Sequence, residues 1–333
     1  MIIMNTFPYS FDNKRYHTYN YFLKNKYKQK IAKVSLNAGF TCPNRDGTRG
    51  FGGCIFCSDS GSGDFAGNVH DSLQKQFENV SAMMRRKWPD CQFIAYFQAN
   101  SNTYAPVKQL KATFEPFLQQ KDVVGLAIAT RPDCLNEDVC DYLYELSQKC
   151  DLYIELGLQT IHNQTGQFIH RGHDYQTFLD GLSRLRNRKI DVCVHIINGL
   201  PYETRKMMLE TAKAVGQLDI QGIKIHNLFI LKNTILHHIY ESKPFPLLSR
   251  GEYISLVVEQ LAYIPEHIVV ERLTGDAPIQ DLVEPLWSIK KVTILNDIDK
   301  LMKEKNIFQG SYLTKENIKN ADIPLCCIRK DPE

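Results

Sequence analysis

Residues 123–133 read VVGLAIATRPD, a run of apolar and small residues that ends on a threonine and an arginine. A strand with one wet face alternates apolar and polar residues. A run without alternation instead suits a parallel sheet covered on both faces. Comparable runs occur at 31–36, 93–97, 152–158, 190–197 and 222–230, with a seventh candidate at 268–273. Between them, amphipathic stretches predict helices over 71–87, 107–119, 135–149, 174–187 and 203–216, with Asp174 and Glu203 as helix-start residues. From the second strand onward, strand starts recur every ~30–40 residues, the length of one βα unit. A cysteine-rich loop lengthens the first interval. The fold class is therefore α/β: a partial (β/α)6-type parallel barrel with a small C-terminal appendage. The expected division is a basic N-terminal extension at 1–30, the barrel at 31–275 and the appendage at 276–333. Polar residues follow several of the runs, at Gln98, Asn100, Thr130, Arg131, Gln159 and Asn198. In such barrels the C-terminal rim of the strands holds the active site.

The chain has 333 residues, 43% of them hydrophobic, enough for a large core, and its net charge is only +3. The charge is unevenly spread. No acidic residue lies between Asn13 and Arg45, where Lys14, Arg15, Lys24, Lys26, Lys28, Lys30, Lys33 and Arg45 accumulate among Tyr16, Tyr19, Tyr21 and Tyr27. That mixture suits a phosphate backbone with unstacked bases, and equally a solvated basic face. Ten cysteines in a chain this long do not make a disulfide scaffold. No run has signal-peptide character or the ~18–20 apolar residues of a membrane span. The expected compartment is a reducing cytoplasm, where clustered cysteines bind metal more often than they pair.

The loop after the first strand reads CPNRDGTRGFGGCIFC, residues 42–57, or Cys42-x11-Cys54-x2-Cys57. Three thiolates on one loop can ligate three irons of a [4Fe–4S] cluster and leave the fourth open to another ligand. Gly47, Gly50, Gly52 and Gly53 supply the backbone freedom to wrap a cuboidal cluster. The competing reading is zinc, with His70 or His17 as a fourth ligand, but closed zinc sites usually take a second paired ligand motif and none follows. Cys91, Cys134, Cys140, Cys150 and Cys193 fall singly in expected strands or helices as small core residues. Cys326 and Cys327 form an adjacent pair, expected at the surface, with a role in a second cluster as the alternative. The run GSGDFAG at 61–67 is a near miss for a dinucleotide fingerprint, but it follows the cysteine loop and not a strand.

A long C-x-C-x2-C loop with an aromatic, Phe56, just before its last cysteine resembles the radical SAM superfamily. The long first spacing resembles the branch that contains the catalytic subunit of Elongator. Within it, CPNRDGTRGFGGCIFC followed by GSGDFAG is similar to the YtqA/YhcC-like (MnmL-type) group. The likeness runs from about Val34 to Leu236 through ATRPD at 129–133, ELGLQT at 155–160, HRGHD at 170–174, HIINGLPYET at 195–204 and KIHNLFILKNT at 224–234.

The resemblance implies a radical SAM barrel whose cofactors are a [4Fe–4S] cluster, held by Cys42, Cys54 and Cys57, and S-adenosylmethionine. It implies that Phe56 lies against the adenine, and that Arg131 and Glu155 sit near the ribose and methionine parts. By the same likeness Gln159 and Arg171 hold the ribose and the methionine carboxylate, and His195 faces the nucleoside. Where many superfamily members carry Gly-Gly-Glu to grip the methionine amine, this chain has Gln98-Ala99-Asn100-Ser101. The implied chemistry is one-electron cleavage of S-adenosylmethionine, with flavodoxin or ferredoxin as donor, to a 5′-deoxyadenosyl radical that abstracts hydrogen from substrate. No side chain need act as general base in that step. The branch implies a tRNA substrate and remodelling of the C5 side chain of the wobble uridine. The rival functions are a radical enzyme on a small metabolite and a zinc-stabilised RNA-binding module.

Overall fold

The computed structural model describes residues 7, 9, 11–61 and 63–313. Cys326 and Cys327 lie outside the described residues. Nine strands are present: β1 (Ile31–Leu36), β2 (Gln92–Phe97), β3 (Val123–Thr130), β4 (Asp151–Gln159), β5 (Asp191–Asn198), β6 (Gly222–Asn227), β7 (Ile230–Leu231), β8 (Val269–Arg272) and β9 (Leu282–Glu284) among the described residues. The helices are α1 (Tyr19–Tyr27), α2 (Leu73–Lys87), α3 (Val107–Phe114), α4 (Glu137–Ser147), α5 (Asn163–Phe168), α6 (Tyr175–Asn187), α7 (Arg205–Gly216), α8 (Ile235–Ser242), α9 (Arg250–Ala262) and α10 (Lys291–Glu304). Seven strands form one sheet in the order β1-β2-β3-β4-β5-β6-β8. The α/β class with a parallel, partial-barrel sheet is thus the observed one, and the stretch at 268–273 does supply the seventh strand.

The chain forms two compact units, one of residues 23–157 with 169–193 and the other of the remaining described residues. In the first, β1 to β4 pair in parallel, with Ser35 opposite Tyr96, Tyr96 opposite Ala127, and Ala129 opposite Glu155. Side chains alternate between faces along a strand. Val34, Leu36, Phe93, Ala95, Phe97, Leu126, Ile128, Leu152, Ile154 and Leu156 therefore share one face, and all are buried. Helices cover it. Phe77 of α2 meets Phe93 edge-on at 5.6 Å, and Phe114 of α3 meets Phe97 at 4.7 Å. Each ring buried this way stabilises the fold by roughly 1.5–3 kcal/mol.

The opposite face carries Lys33, Tyr96, Tyr153 and Glu155, which departs from the expectation of two apolar faces. Gly125, Ala127 and Ala129 explain how β3 fits there: its residues on that face are small rather than greasy. Gly125 has no room for more, since a Cβ would sit 2.6 Å from the Asp151 carbonyl oxygen.

In the second unit the N-terminal segment is tied to the C-terminal part. His17 O accepts from Val270 N at 2.8 Å, Arg15 O from Gln309 N at 2.9 Å, and His17 N donates to Gln309 Oε1 at 2.7 Å. Lys14 pairs with Asp299, and Arg15 donates to Asn306 at 3.0 Å. The expected strand at 222–230 breaks after Asn227, whose side-chain oxygen accepts from Thr274 and Gly275; Ile230–Leu231 pairs instead with β9, antiparallel. Asp174 caps α6 as expected, but α7 is capped by Thr204, not Glu203. The Thr204 hydroxyl accepts from Met207 N, while the Glu203 carboxylate accepts from the Thr160 hydroxyl at 2.5 Å. Among the described residues no helix is long and apolar enough to cross a membrane.

Candidate functional site

Cys42, Cys54 and Cys57 lie half-buried on the loop after β1, in the first unit. The loop folds back on itself through Cys42 O accepting from Arg45 N at 2.8 Å, Asn44 O from Gly53 N at 2.8 Å, and Cys54 O from Cys57 N at 2.9 Å. Gly53 has φ +86°, and a Cβ there would stand 3.0 Å from Arg45 Nε, so only glycine fits this crossing. The Cys54 thiol is pushed well above the ordinary thiol range, first by its hydrogen bond to Cys57, then by burial and by the charges of Cys57 and Cys42, with Arg131 opposing. A cation bound to the Cys54 sulfur would remove that penalty.

The geometry also bears on zinc. One ion about 2.3 Å from each sulfur requires all three sulfurs within about 4 Å of one another. Among the described residues, His237, His238 and Glu241 on α8 bring their ligand atoms within 4.8 Å of one another. His17 is bonded through its ring to the Glu266 carbonyl at 3.1 Å, and His70 is exposed.

Asn44, which the sequence reading passed over, locks the loop. It is 4% exposed, donates to the His170 carbonyl and, at 3.6 Å, to the Cys54 sulfur. Its Oδ1 occupies the space that a Cβ at Gly172 would reach at 2.7 Å. The signal was present as a buried-polar residue inside CPNRD facing the glycine of HRGHD, but only folding makes the two neighbours.

Arg131, at the end of β3, forms a bidentate pair with Asp133 at 3.0 and 2.9 Å and donates to the Arg171 carbonyl at 2.7 Å. Its charge faces Cys42 and Cys54. Arg171 is 1% exposed and gives its Nε to the His173 carbonyl at 2.9 Å. Phe56 is half-buried between the last two cysteines. Glu155 is held by Lys33 Nζ at 2.6 Å and by the Tyr96 hydroxyl at 2.5 Å, not by Arg131. In the turn after β2, Asn100 Nδ2 donates to Phe40 O and Asn102 Nδ2 to Ala99 O and Ala129 O, each at 3.0 Å. The side-chain oxygens of both asparagines are buried without a hydrogen-bond partner. These are acceptors in want of a donor.

In the other unit, Gln159 ends β4 in a left-handed backbone conformation, φ +64°. His195 on β5 lies half-buried with its ring 5.3 Å from that of His226 on β6.

The Radical SAM superfamily model matches residues 41–215, beginning one residue before Cys42. The chain belongs to the radical SAM superfamily. A radical SAM C-terminal domain follows at 220–304. Among this radical SAM protein's relatives, YtqA of Bacillus subtilis (strain 168) is 50% identical over 315 residues, 95% of this chain and 98% of YtqA. The tRNA uridine(34) acetyltransferase of Methanocaldococcus jannaschii is 23% identical over 187 residues, 55% of this chain and 34% of that protein. The solved structure of the archaeal Methanocaldococcus infernus Elp3 with an N-terminal deletion superposes with a TM-score of 0.63 at 16% identity, over 84% of this chain and 64% of that one. That likeness shows a common fold, and the matches together fit the Elongator-like branch. The cofactors of the family are a [4Fe–4S] cluster and S-adenosylmethionine. The residues present fit the cluster: three free cysteines on one loop, with the Arg131 charge facing Cys42 and Cys54.

Proposed function

We propose that this radical SAM enzyme acts on tRNA and remodels the C5 side chain of the wobble uridine, by a step of the carboxymethylaminomethyl-to-aminomethyl type. The observation that carries the reading is the match to tRNA uridine(34) acetyltransferase across 55% of the chain. Cys42, Cys54 and Cys57 would hold the cluster. Gln98-Ala99-Asn100-Ser101 would stand in the place where many superfamily members carry Gly-Gly-Glu to grip the methionine amine. Phe56 would pack on the adenine, Arg171 and Gln159 would hold the carboxylate and the ribose, and His195 would face the nucleoside. Arg131 would keep positive charge beside the thiolates, and Glu155, its charge balanced by Lys33, would sit near the ribose and methionine parts. When bound, the two cofactors supply a radical able to take hydrogen from a saturated carbon, which no ordinary side-chain base can do. Flavodoxin or ferredoxin would deliver the electron, in the cytoplasm. The test is mass spectrometry of tRNA nucleosides from cells with and without the gene. The carboxymethylaminomethyl nucleoside should accumulate on deletion. Identical wobble-uridine profiles overturn the proposal and favour a small-molecule substrate.

A further inference from the structure

The loop after β5 turns through Gly199, Leu200, Pro201 and Tyr202, closed by Glu203 N donating to Leu200 O at 3.1 Å. Tyr202 takes φ +67°, a left-handed conformation that a bulky side chain rarely adopts. A glycine would make the same turn without strain. The ring is not there for the core either, because the residue is 60% exposed. A side chain that is costly to the backbone and absent from the core is a candidate for contact with a ligand.

The ring's surroundings narrow the ligand. Tyr202 stands edge-on to Phe168 of α5, centroids 5.1 Å apart at 81°, and tilts against Phe245 at 6.4 Å. Phe245 is itself braced by Tyr240 of α8 at 5.2 Å and is 6% exposed. These neighbours fix the ring's attitude while leaving most of it in solvent. Phe168 and Tyr240 are half-buried, so Tyr202 is the most exposed ring of a small aromatic cluster. Glu203 follows Tyr202 in the chain, and two cations come after Thr204. The first turn of α7 holds Arg205 and Lys206 and no acidic residue; Arg205 is drawn to Glu259 at 2.6 Å, whereas the Lys206 side chain is 86% exposed, 3.8 Å from Glu210.

We infer that Tyr202 is a stacking platform for an unpaired nucleobase of an RNA substrate, with Lys206 beside the neighbouring phosphate. Flat aromatic faces hold splayed bases of any identity, and a base inside a duplex offers no face to stack on. This inference rests on the RNA reading of the proposed function and adds the residue that would hold the base.

The test uses cluster-loaded protein prepared without oxygen and an anticodon stem-loop carrying 2-aminopurine in its loop, whose fluorescence falls on stacking. The wild type and Y202F should quench the probe and bind alike. Y202G should bind the loop roughly 5- to 100-fold more weakly and lose the quench. The same stem closed into a fully paired duplex should bind all three proteins equally. Glycine suits the φ of this position, so Y202G should keep its melting temperature and iron content. Affinity of Y202G equal to wild type, or an equal loss on loop and duplex, overturns the stacking role and leaves the RNA reading standing. A wild type that binds neither RNA overturns both.

Discussion

Lys33 of β1 sets its ammonium 2.6 Å from one carboxylate oxygen of Glu155 on β4, while Tyr96 of β2 donates to the other oxygen at 2.5 Å. The Glu155 side chain is wholly buried and that of Lys33 is 17% exposed. A buried pair of this kind adds little net stability against apolar residues of the same shape, but removing one partner strands a charge. Lys33→Met should therefore cost about 3 kcal/mol, the low end of the usual range because the Tyr96 hydrogen bond remains. The double variant Lys33→Met with Glu155→Met should recover most of it. Urea unfolding midpoints decide the matter, and a Lys33→Met protein as stable as the parent would show the pair to be unimportant.

The cysteine loop gives a second prediction. Anaerobically reconstituted parent should carry about four irons and four sulfides per chain, and Cys54→Ala should carry almost none. Gly172→Ala touches no cysteine, yet its Cβ would intrude to 2.7 Å from Asn44 Oδ1 at φ +78°. Asn44 must then move from Cys54 and the His170 carbonyl. Iron content well below the parent is the expected result. Full iron loading in Gly172→Ala would mean the Asn44 bridge does not support the cluster.

How far the sequence reached depends on what each signal reports. Hydrophobic runs and capping residues are local, so β1 was legible to the residue and Asp174 marked α6. Helix α1 was missed because residues 19–27 hold one buried residue, Leu23, and show no apolar stripe. The cysteine spacing announced itself because cluster ligands sit on one short loop. The partner of Glu155 did not, since Lys33 on β1 and Arg131 just after β3 are both cations and only folding chooses between them. Asn44 and Tyr202 were silent for the same reason: a buried bridge and a left-handed backbone are products of folding, with no composition of their own.

His173, in the HRGHD segment, has its imidazole pushed down to about 3 by burial first and then by the charges of Arg171 and Arg131. The folded protein keeps this ring neutral, whereas the unfolded chain takes up a proton near pH 6.5. Stability from this residue is fully present above pH 6.5 and is lost as the pH falls from there toward 3, at about 1.4 kcal/mol per pH unit. His173→Gln should flatten that slope. Unfolding free energies at pH 7 and pH 5 measure it, and a parent slope unchanged by the substitution would assign the acid sensitivity elsewhere.

The basic N-terminal stretch divides into residues of different kinds, and this sharpens the tRNA prediction. Lys14 is paired with Asp299, Lys26 with Asp151 at 2.8 Å and Lys33 with Glu155, and Arg15 donates to Asn306. Lys30 lies over the Trp88 ring at 4.7 Å. Lys24 and Lys28 are exposed at the end of α1, where the negative pole of the helix favours cations without neutralising them. If residues 24–28 contact a phosphate backbone, these two exposed lysines can share in the contact. Each phosphate neutralised releases counterions and adds about 0.7–0.9 to the slope of log affinity against log salt. Lys24→Glu with Lys28→Glu should weaken tRNA binding and lower that slope by between one and two. Lys26→Glu should behave differently: it faces Asp151 and Tyr153, so the expected damage is to stability, seen as a lower melting temperature. Iron content should match the parent in the double variant. A double variant with the parent's affinity and salt slope would make this surface a solvated face, and binding would have to be sought on other parts of the chain.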